Sequence, residues 1–535
     1  MPTLPRADEY QLAIQSPALC FGDPELRQTR VDTDQLGLPR VASGGFALTY
    51  RLRGAGQTWA VRCFYKDVPD LQRRYDAISR FLQGNRLPLF VPVEYQQDGI
   101  RIAGRFQPII KMPWVGGEPL GVYVESNLND PARLAPLPDA LRAVASQLRQ
   151  LGVAHGDLQH GNIMVEQGQL RLIDYDGFYV PNLRGIPSSN LGHVNYQHPR
   201  RQLSDFGPDL DRFSAIVLYL GLRATALRPA LWRAYATGEN CLFSQADFAT
   251  PDKSALLAEL EQIAELRPLV ERFRRVCLLS LADVPTLEEF LKARLAQPTL
   301  APVVQPVPVP VRQQYPRLST SNLDGLVRHL GQRVEVVGTV SEVAWKATSR
   351  GNRPYVFLSF GDWREKCFRL VIWDEALHRF IQAGIDPSSY ARQPVSATGV
   401  VTVYRGTPQI VVDMPSEIRI VQQLTSPVPS QPTTAAPVAP PSPPKRAPRT
   451  PNQPPPPPAD AVLNRLYGGY PQNTAATPAT ASPPKSVSPP KPRPSPPAKR
   501  AQRSTPARAA KKPRPGAQGK GAKGWLEGLL ERILS

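Results

Sequence analysis

The sequence predicts an α+β body over residues 20–296, a small all-β barrel over 319–424 and an unfolded basic tail from 425 onward. Three observations carry this. A strand–turn–strand–strand pattern gives way to apolar-periodic helices across the first segment. The second segment holds five β-branched runs and one short helical one. Of 61 prolines, 28 lie beyond residue 425, and proline fits neither helix interiors nor central strands.

Charge is equally uneven. The chain carries 64 Lys and Arg against 45 Asp and Glu, a net +19, but 17 of those bases and only 3 of those acids lie beyond residue 425. The remainder is near neutral, so the high pI describes the tail more than the folded surface. At 535 residues the chain exceeds what one hydrophobic core supports. Its five cysteines are scattered and never paired as C-x-x-C, which argues against a zinc site or a disulfide framework and for a reducing compartment. With no apolar run of about 18 residues and no N-terminal h-region, no transmembrane segment is expected and the cytoplasm is the default location.

In chain order, PRVASGGFALTYRL (39–52) reads as strand, glycine turn, strand, and QTWAVRCFY (57–65) as a third strand. The run 67–82 has apolar residues at helical spacing, with Asp67 or Asp70 available at its N-terminus. A helix over 139–152 leads into the loop VAHGDLQHGNIMV, and a strand pair follows that turns at Gln167–Gly168. Apolar helices are expected over 209–222 and 269–281. Residues 297–318 form a proline-rich, extended spacer.

The chemistry concentrates in HGDLQHGN (155–162) and IDYDG (173–177). Phosphoryl transfer needs a carboxylate beside the attacking hydroxyl, and an amide and a second carboxylate to hold Mg²⁺ against nucleotide phosphates. Asp157, Asn162 and Asp174 supply all three in that order, behind a glycine turn, a basic strand residue and a helix.

On these residues the chain resembles the protein-kinase superfamily over about residues 35–295. The H-R-D-x-x-x-x-N loop is matched by His155, Gly156, Asp157 and Asn162, and D-F-G by Asp174, Tyr175 and Asp176; D-R-F-S (211–214) looks like the family's D-x-W-S at the start of a buried central helix. The resemblance implies ATP and Mg as cofactors, Asp157 as the catalytic carboxylate, and Asn162 and Asp174 as metal ligands. Of the family's three turn glycines only the middle one is matched, by Gly44, although Gly45 keeps the turn permissive, and Arg62 stands at the strand lysine. The helical acid that should pair with Arg62 is expected at Asp76. The A-P-E position reads His198, Pro199, Arg200, and Gln159 replaces the lysine of Ser/Thr kinases. Two readings stay open: a divergent kinase phosphorylating Ser/Thr of protein substrates, or a pseudokinase scaffold. The H-G-D-L loop with Gly161 looks more like bacterial atypical kinases and small-molecule phosphotransferases than eukaryotic-type enzymes, while the appended second domain and long tail favour a protein substrate. Kinase-like proteins of this shape resemble members of bacterial phospho-signalling and stress-response sets, which implies partners such as a cognate phosphatase or a von Willebrand A-type protein.

In the second segment, strands over 332–345, 353–362 and 366–376, a helix over 376–384 and two further strands with a turn at Arg405–Gly406–Thr407 give the order βββαββ. This resembles an OB-fold barrel, making the expected fold class a bilobal kinase-like α+β fold plus a small all-β OB-like barrel. Trp345, Tyr355, Phe357, Trp363, Phe368 and Trp373, interleaved with Lys346, Arg350, Arg353, Arg364 and Lys366, suit a platform for single-stranded nucleic acid, with a protein-binding or purely structural barrel as the alternative. At least half of those aromatics are expected in the barrel core. The tail over 425–523 is unfolded by composition. Residues 524–535 (GWLEGLLERILS) form an amphipathic helix suited to a groove on a protein partner.

Overall fold

A computed structural model describes residues 4–34, 37–44, 46–292, 315–348, 353–362, 364, 366–404 and 406–421. Most of the proline spacer, the tail and the C-terminal helix with its partner lie outside the described residues, as do Gly45, Arg350, Trp363 and Arg405. The chain is mixed α+β, with several sheets.

The first sheet contains β1 (Arg30–Val31), β2 (Val41–Ser43), β3 (Ala47–Arg53), β4 (Thr58–Phe64), β5 (Glu94–Ile102) and β6 (Arg105–Pro113), in the order β1-β3-β4-β6-β5 with β2 beside β3. Period-2 alternation decides what each face buries. Val61, Cys63 and Ile109 face one core, while Ala60, Phe64 and Ile110 face another. The first core is closed by short helices at Ala7–Ala13, Pro17–Cys20 and Pro24–Arg27, from which Tyr10, Ile14, Phe21 and Leu26 pack onto the sheet. The Tyr10 hydroxyl donates to the Phe64 carbonyl at 2.9 Å. Residues before position 20 therefore belong to this body. On the opposite face lies the helix Leu71–Gly84, which buries Tyr75, Ile78 and Leu82 at helical spacing. Asp70 occupies its N-cap position at φ +56 and makes no capping bond.

The second lobe pairs β7 (Glu118–Pro119), β8 (Ile163–Glu166) and β9 (Gln169–Leu172). The hairpin turns where expected: Gln167 (φ +51) and Gly168 (φ +79) both take the left-handed backbone that a two-residue hairpin loop favours. The helix Arg212–Leu227 is buried nearly all round, with Leu137–Gln150 and Arg267–Leu278 amphipathic beside it. Phe213, Phe243, Phe248 and Phe273 pack ring to ring at 5.1–6.2 Å. Among the described residues no helix is long and apolar enough to cross a membrane.

The third part holds β10 (Arg317–Ser319), β11 (Arg333–Thr339), β12 (Glu342–Ala347), β13 (Pro354–Ser359), β14 (Arg369–Trp373), β15 (Pro394–Tyr404), β16 (Thr407–Val411) and β17 (Ile418–Ile420), with the helix Asp374–Gln382 after β14. Its strand order is β10-β11-β15-β16-β14-β13-β12, and β14–β16 is a parallel pair. Two residues separate β11 from β12, yet the two stand far apart along that path, so the sheet must curl back on itself. The single strand expected over 332–345 is split at Val340–Ser341. There the chain changes partner, from Gln393 and Arg392 beside β15 to Ser359 of β13. Val336, Val356, Leu358, Phe368, Leu370, Ile372 and Ile410 fill this part's own core.

Two buried histidines make stability pH-dependent. His160 faces the Gly238 carbonyl through Nε2 at 3.2 Å, and the Tyr196 hydroxyl at Nδ1. A carbonyl can only accept, so Nε2 carries the proton and Nδ1 accepts. Burial pushes His160 down to about 4, and His198 likewise. Both folded values lie below the unfolded value of about 6.5, so the unfolded chain binds the extra protons. Their contribution is present above about 6.5 and lost as pH falls through about 4, on the order of 3 kcal/mol per histidine. Urea unfolding should therefore show stability falling over this window, with a shallower fall in His160→Gln; an unchanged slope in that variant contradicts the assignment.

Candidate active site

The loop 155–162 hangs from a helix end. Asp211, the N-cap of Arg212–Leu227, accepts the backbone N–H groups of His155 and Gly156, the latter at 2.8 Å. Burial pushes the Asp211 carboxyl up, opposed by His155 and these two N–H groups. Gly156 sits at φ +74, and a Cβ there would lie 2.1 Å from the Gly177 carbonyl oxygen, so only glycine fits. The His155 ring donates through Nε2 to the Ile173 carbonyl at 2.9 Å, and Ile173 N–H donates to the Asn162 carbonyl at 3.0 Å. These two bonds set Asp174 beside Asn162.

Both Asp157 carboxylate oxygens are engaged. Oδ2 accepts from the Asn162 side-chain amide at 3.2 Å, and Oδ1 from the His193 backbone N–H at 2.7 Å. The Asn162 amide also donates to the Asp157 carbonyl at 2.9 Å.

Alternation along β4 turns Arg62 toward this loop, and its side chain is 5% exposed. Nη1 lies 2.7 Å from Asp174 Oδ1 and Nη2 lies 2.5 Å from Asp176 Oδ2. Tyr75, from the helix Leu71–Gly84, donates its hydroxyl to Asp176 Oδ1 at 2.5 Å. Burial pushes the Asp176 carboxyl up to about 6, against the pull of Arg62. For Arg62, burial works against the charge, but Asp174 and Asp176 outweigh it and hold the guanidinium protonated. Asp174 itself lies at φ +66, a backbone that costs a non-glycine residue on the order of 1 kcal/mol and that clusters at functional sites. Above this group the Gly44 N–H donates to the Ala47 carbonyl at 2.9 Å. A Cβ on Gly44 would lie 3.9 Å from both Arg62 Nη2 and Asp174 Oδ2.

The structure thus gathers Gly44, Arg62 and Asp174, and joins Asp157, Asn162 and Asp174 through the loop. It does not bring in Asp76. The expected Arg62–Asp76 pair is corrected: Asp76 is exposed and lines a shallow surface groove with Asp70, Arg73 and Arg80. The reason is helical phase. Consecutive residues are turned about 100° apart, and Tyr75, one position earlier, is the residue that faces the sheet. The acid opposite Arg62 comes instead from Asp176, where the family motif carries glycine. Arginine stands at the lysine position, and the aspartate within the matched D-Y-D stands at the motif's glycine position; their opposite charges are the signal that they compensate. Among the described residues no group of three or more His, Cys, Asp or Glu side chains is placed to hold a metal. Mg²⁺ in phosphoryl-transfer sites needs only one or two protein carboxylates and draws other oxygens from water and phosphate, so Asp174 and Asn162 fit as a donor pair.

No family model and no curated protein matches the sequence. Among solved structures the chain is similar to the kinase of Cydia pomonella granulovirus, at 14% identity over 38% of this chain and 70% of that one, with a TM-score of 0.28.

Arg62 and Asp176 should be energetically coupled. Removing one partner of a buried pair strands the other, at about 3–5 kcal/mol. Arg62→Ala and Asp176→Asn should each destabilise the protein, and the double variant should lose less than their sum by at least about 1 kcal/mol in urea melts. Simple additivity contradicts the pair.

Proposed function

We propose that the chain is an ATP- and Mg-dependent phosphotransferase of divergent kinase type, acting on Ser or Thr of protein substrates in bacterial phospho-signalling or stress response. The observation that carries this reading is the placement of Asp157, Asn162, Asp174 and Arg62 around one loop beneath Gly44. Asp157 would take the proton of the attacking hydroxyl. Asp174 and Asn162 would hold Mg²⁺, which neutralises phosphate charge, while Arg62 would meet the phosphates from β4. Asp176 and Tyr75 would keep Arg62 aimed once Asp174 turned to the metal. The planar guanidinium suits this arrangement, because its two Nη atoms serve two partners at once, which a lysine ammonium does less well.

A second role is supported for the third part, which we read as an OB-like barrel that binds single-stranded nucleic acid. Val356 and Leu358 fill its core, while Tyr355 and Phe357 lie half-buried on the opposite face, in ring contact with each other at 5.2 Å. Arg369 lies over Phe357 at 5.4 Å, a stack that offers both a π-face and a charge. Of the other aromatics, Phe368 is core, Trp373 is buried beside Tyr355, and Trp345 packs against the core and donates to Ser388 at 3.1 Å.

With radiolabelled ATP and Mg²⁺ the full chain should label itself or an added protein. Asp157→Ala should reduce the rate at least about a hundredfold with an unchanged circular dichroism spectrum. Nucleotide binding without any transfer would instead mark a pseudokinase scaffold.

A further inference from the structure

The third part is seated against both lobes. On the first lobe, Ala7 packs so closely on Gly331 that a Cβ at Gly331 would lie 2.3 Å from the Ala7 methyl and 3.8 Å from Leu48 Cδ2. Arg40, just before β2, lies 3.6 Å from Glu375. On the second lobe, Ser416 donates through its N–H and hydroxyl to the Glu125 carboxylate at 3.1 and 2.5 Å, and Arg379 reaches Glu118 at 4.0 Å. Arg333 of β11 donates to Glu239 at 2.9 and 2.8 Å and also faces Glu417 at 3.5 Å.

This last group leads to Asp157. Glu239 contacts the His193 ring at 3.1 Å, and the His193 backbone N–H holds Asp157. Tyr315, which leads into β10, lies against the His193 ring at 6.3 Å and under Arg333 at 5.9 Å. A polypeptide approaching Asp157 from this side meets His193 with Tyr315 and Arg333 already on it.

We propose that the barrel is an autoinhibitory clamp, which ties the two lobes together and covers the approach to Asp157. It rests on the phosphotransfer reading for what is inhibited, but not for the clamping itself. The named contacts across the junction are mostly charged or hydroxyl groups, and the hydrophobic cores do not merge: the barrel core is a separate cluster from the two cores of the lobes. Polar interfaces of this kind between domains are the ones that open and close. A body that bridges both lobes restrains their opening, and lobe opening admits and releases a nucleotide bound between them.

The test uses the full-length chain and two variants that touch neither the loop nor Arg62. Arg333→Met breaks the group with Glu239 and Glu417, and Glu125→Lys breaks the Ser416 contact at a separate place. Three readouts apply: hydrogen exchange over residues 186–200 and 236–241, release of a fluorescent ATP analogue by stopped flow, and labelling of dephosphorylated casein. In both variants, exchange should rise by about tenfold as the contact becomes locally open. Analogue release should accelerate by about fivefold, as expected when lobe opening limits it, and casein labelling should increase. Unchanged exchange and release in both variants overturns the clamp, as does slower release or weaker labelling once exchange shows the barrel loosened. If analogue binds but neither wild type nor variants label casein or themselves, the phosphotransfer reading fails, and the clamp is judged on the release rates alone.

Discussion

A guanidinium held between two carboxylates in a place with little water is the contact on which the site depends. Arg62 is nearly buried, and taking it out of water is unfavourable unless its charge is matched and its donors are used. Asp174 and Asp176 do the matching, and the buried Asp176 carboxylate in turn relies on Arg62 beside it. Tyr75 adds a hydroxyl to Asp176, so the helix Leu71–Gly84 is locked to the loop after β9 by the same group that fixes Arg62. The first lobe is thereby joined to the second through charge and hydrogen bonds as well as apolar packing.

The second constraint is backbone geometry. Gly156 can turn only as glycine, Asp211 ties the turn to a helix N-terminus, and the His155 ring ties it to the strand end before Asp174. Asp157 is consequently placed by its neighbours' backbones more than by its own side chain. Its Oδ1 bond to His193 passes the same logic outward, to Glu239 and then to Arg333 on β11 of the third part. The loop 155–162, the junction at His193 and Glu239, and the third part are thus consecutive links in one polar chain.

Much of this was legible in the residues. The alternation of β3 and β4, the hairpin at Gln167–Gly168 and the loop His155–Asn162 each follow from local pattern, and each forms as read. The β5–β6 hairpin carries no such local pattern. Gln96, Gln97 and Asp98 break its alternation, β5 is an edge strand with a register shift between Gln96 and Ile100, and its turn at Ala103–Gly104 lacks the usual Asn-Gly signal. Residue type points to Asp76 as the Arg62 partner, but helical phase gives the inward face to Tyr75: Asp76 has the charge, Tyr75 the face. The break at Val340–Ser341 was hidden because a strand that changes partners keeps its β-branched composition throughout.

The central claim is that Arg62, Asp174 and Asp176 form the phosphate- and metal-facing end of a nucleotide site. A crystal structure with Mg²⁺ and a non-hydrolysable ATP analogue tests it most directly. The account predicts phosphates beneath Gly44, the metal on Asp174 and Asn162, and Arg62 still within hydrogen-bond distance of Asp176. Phosphates bound away from Gly44, or Arg62 turned from Asp176 toward Asp76, would contradict it.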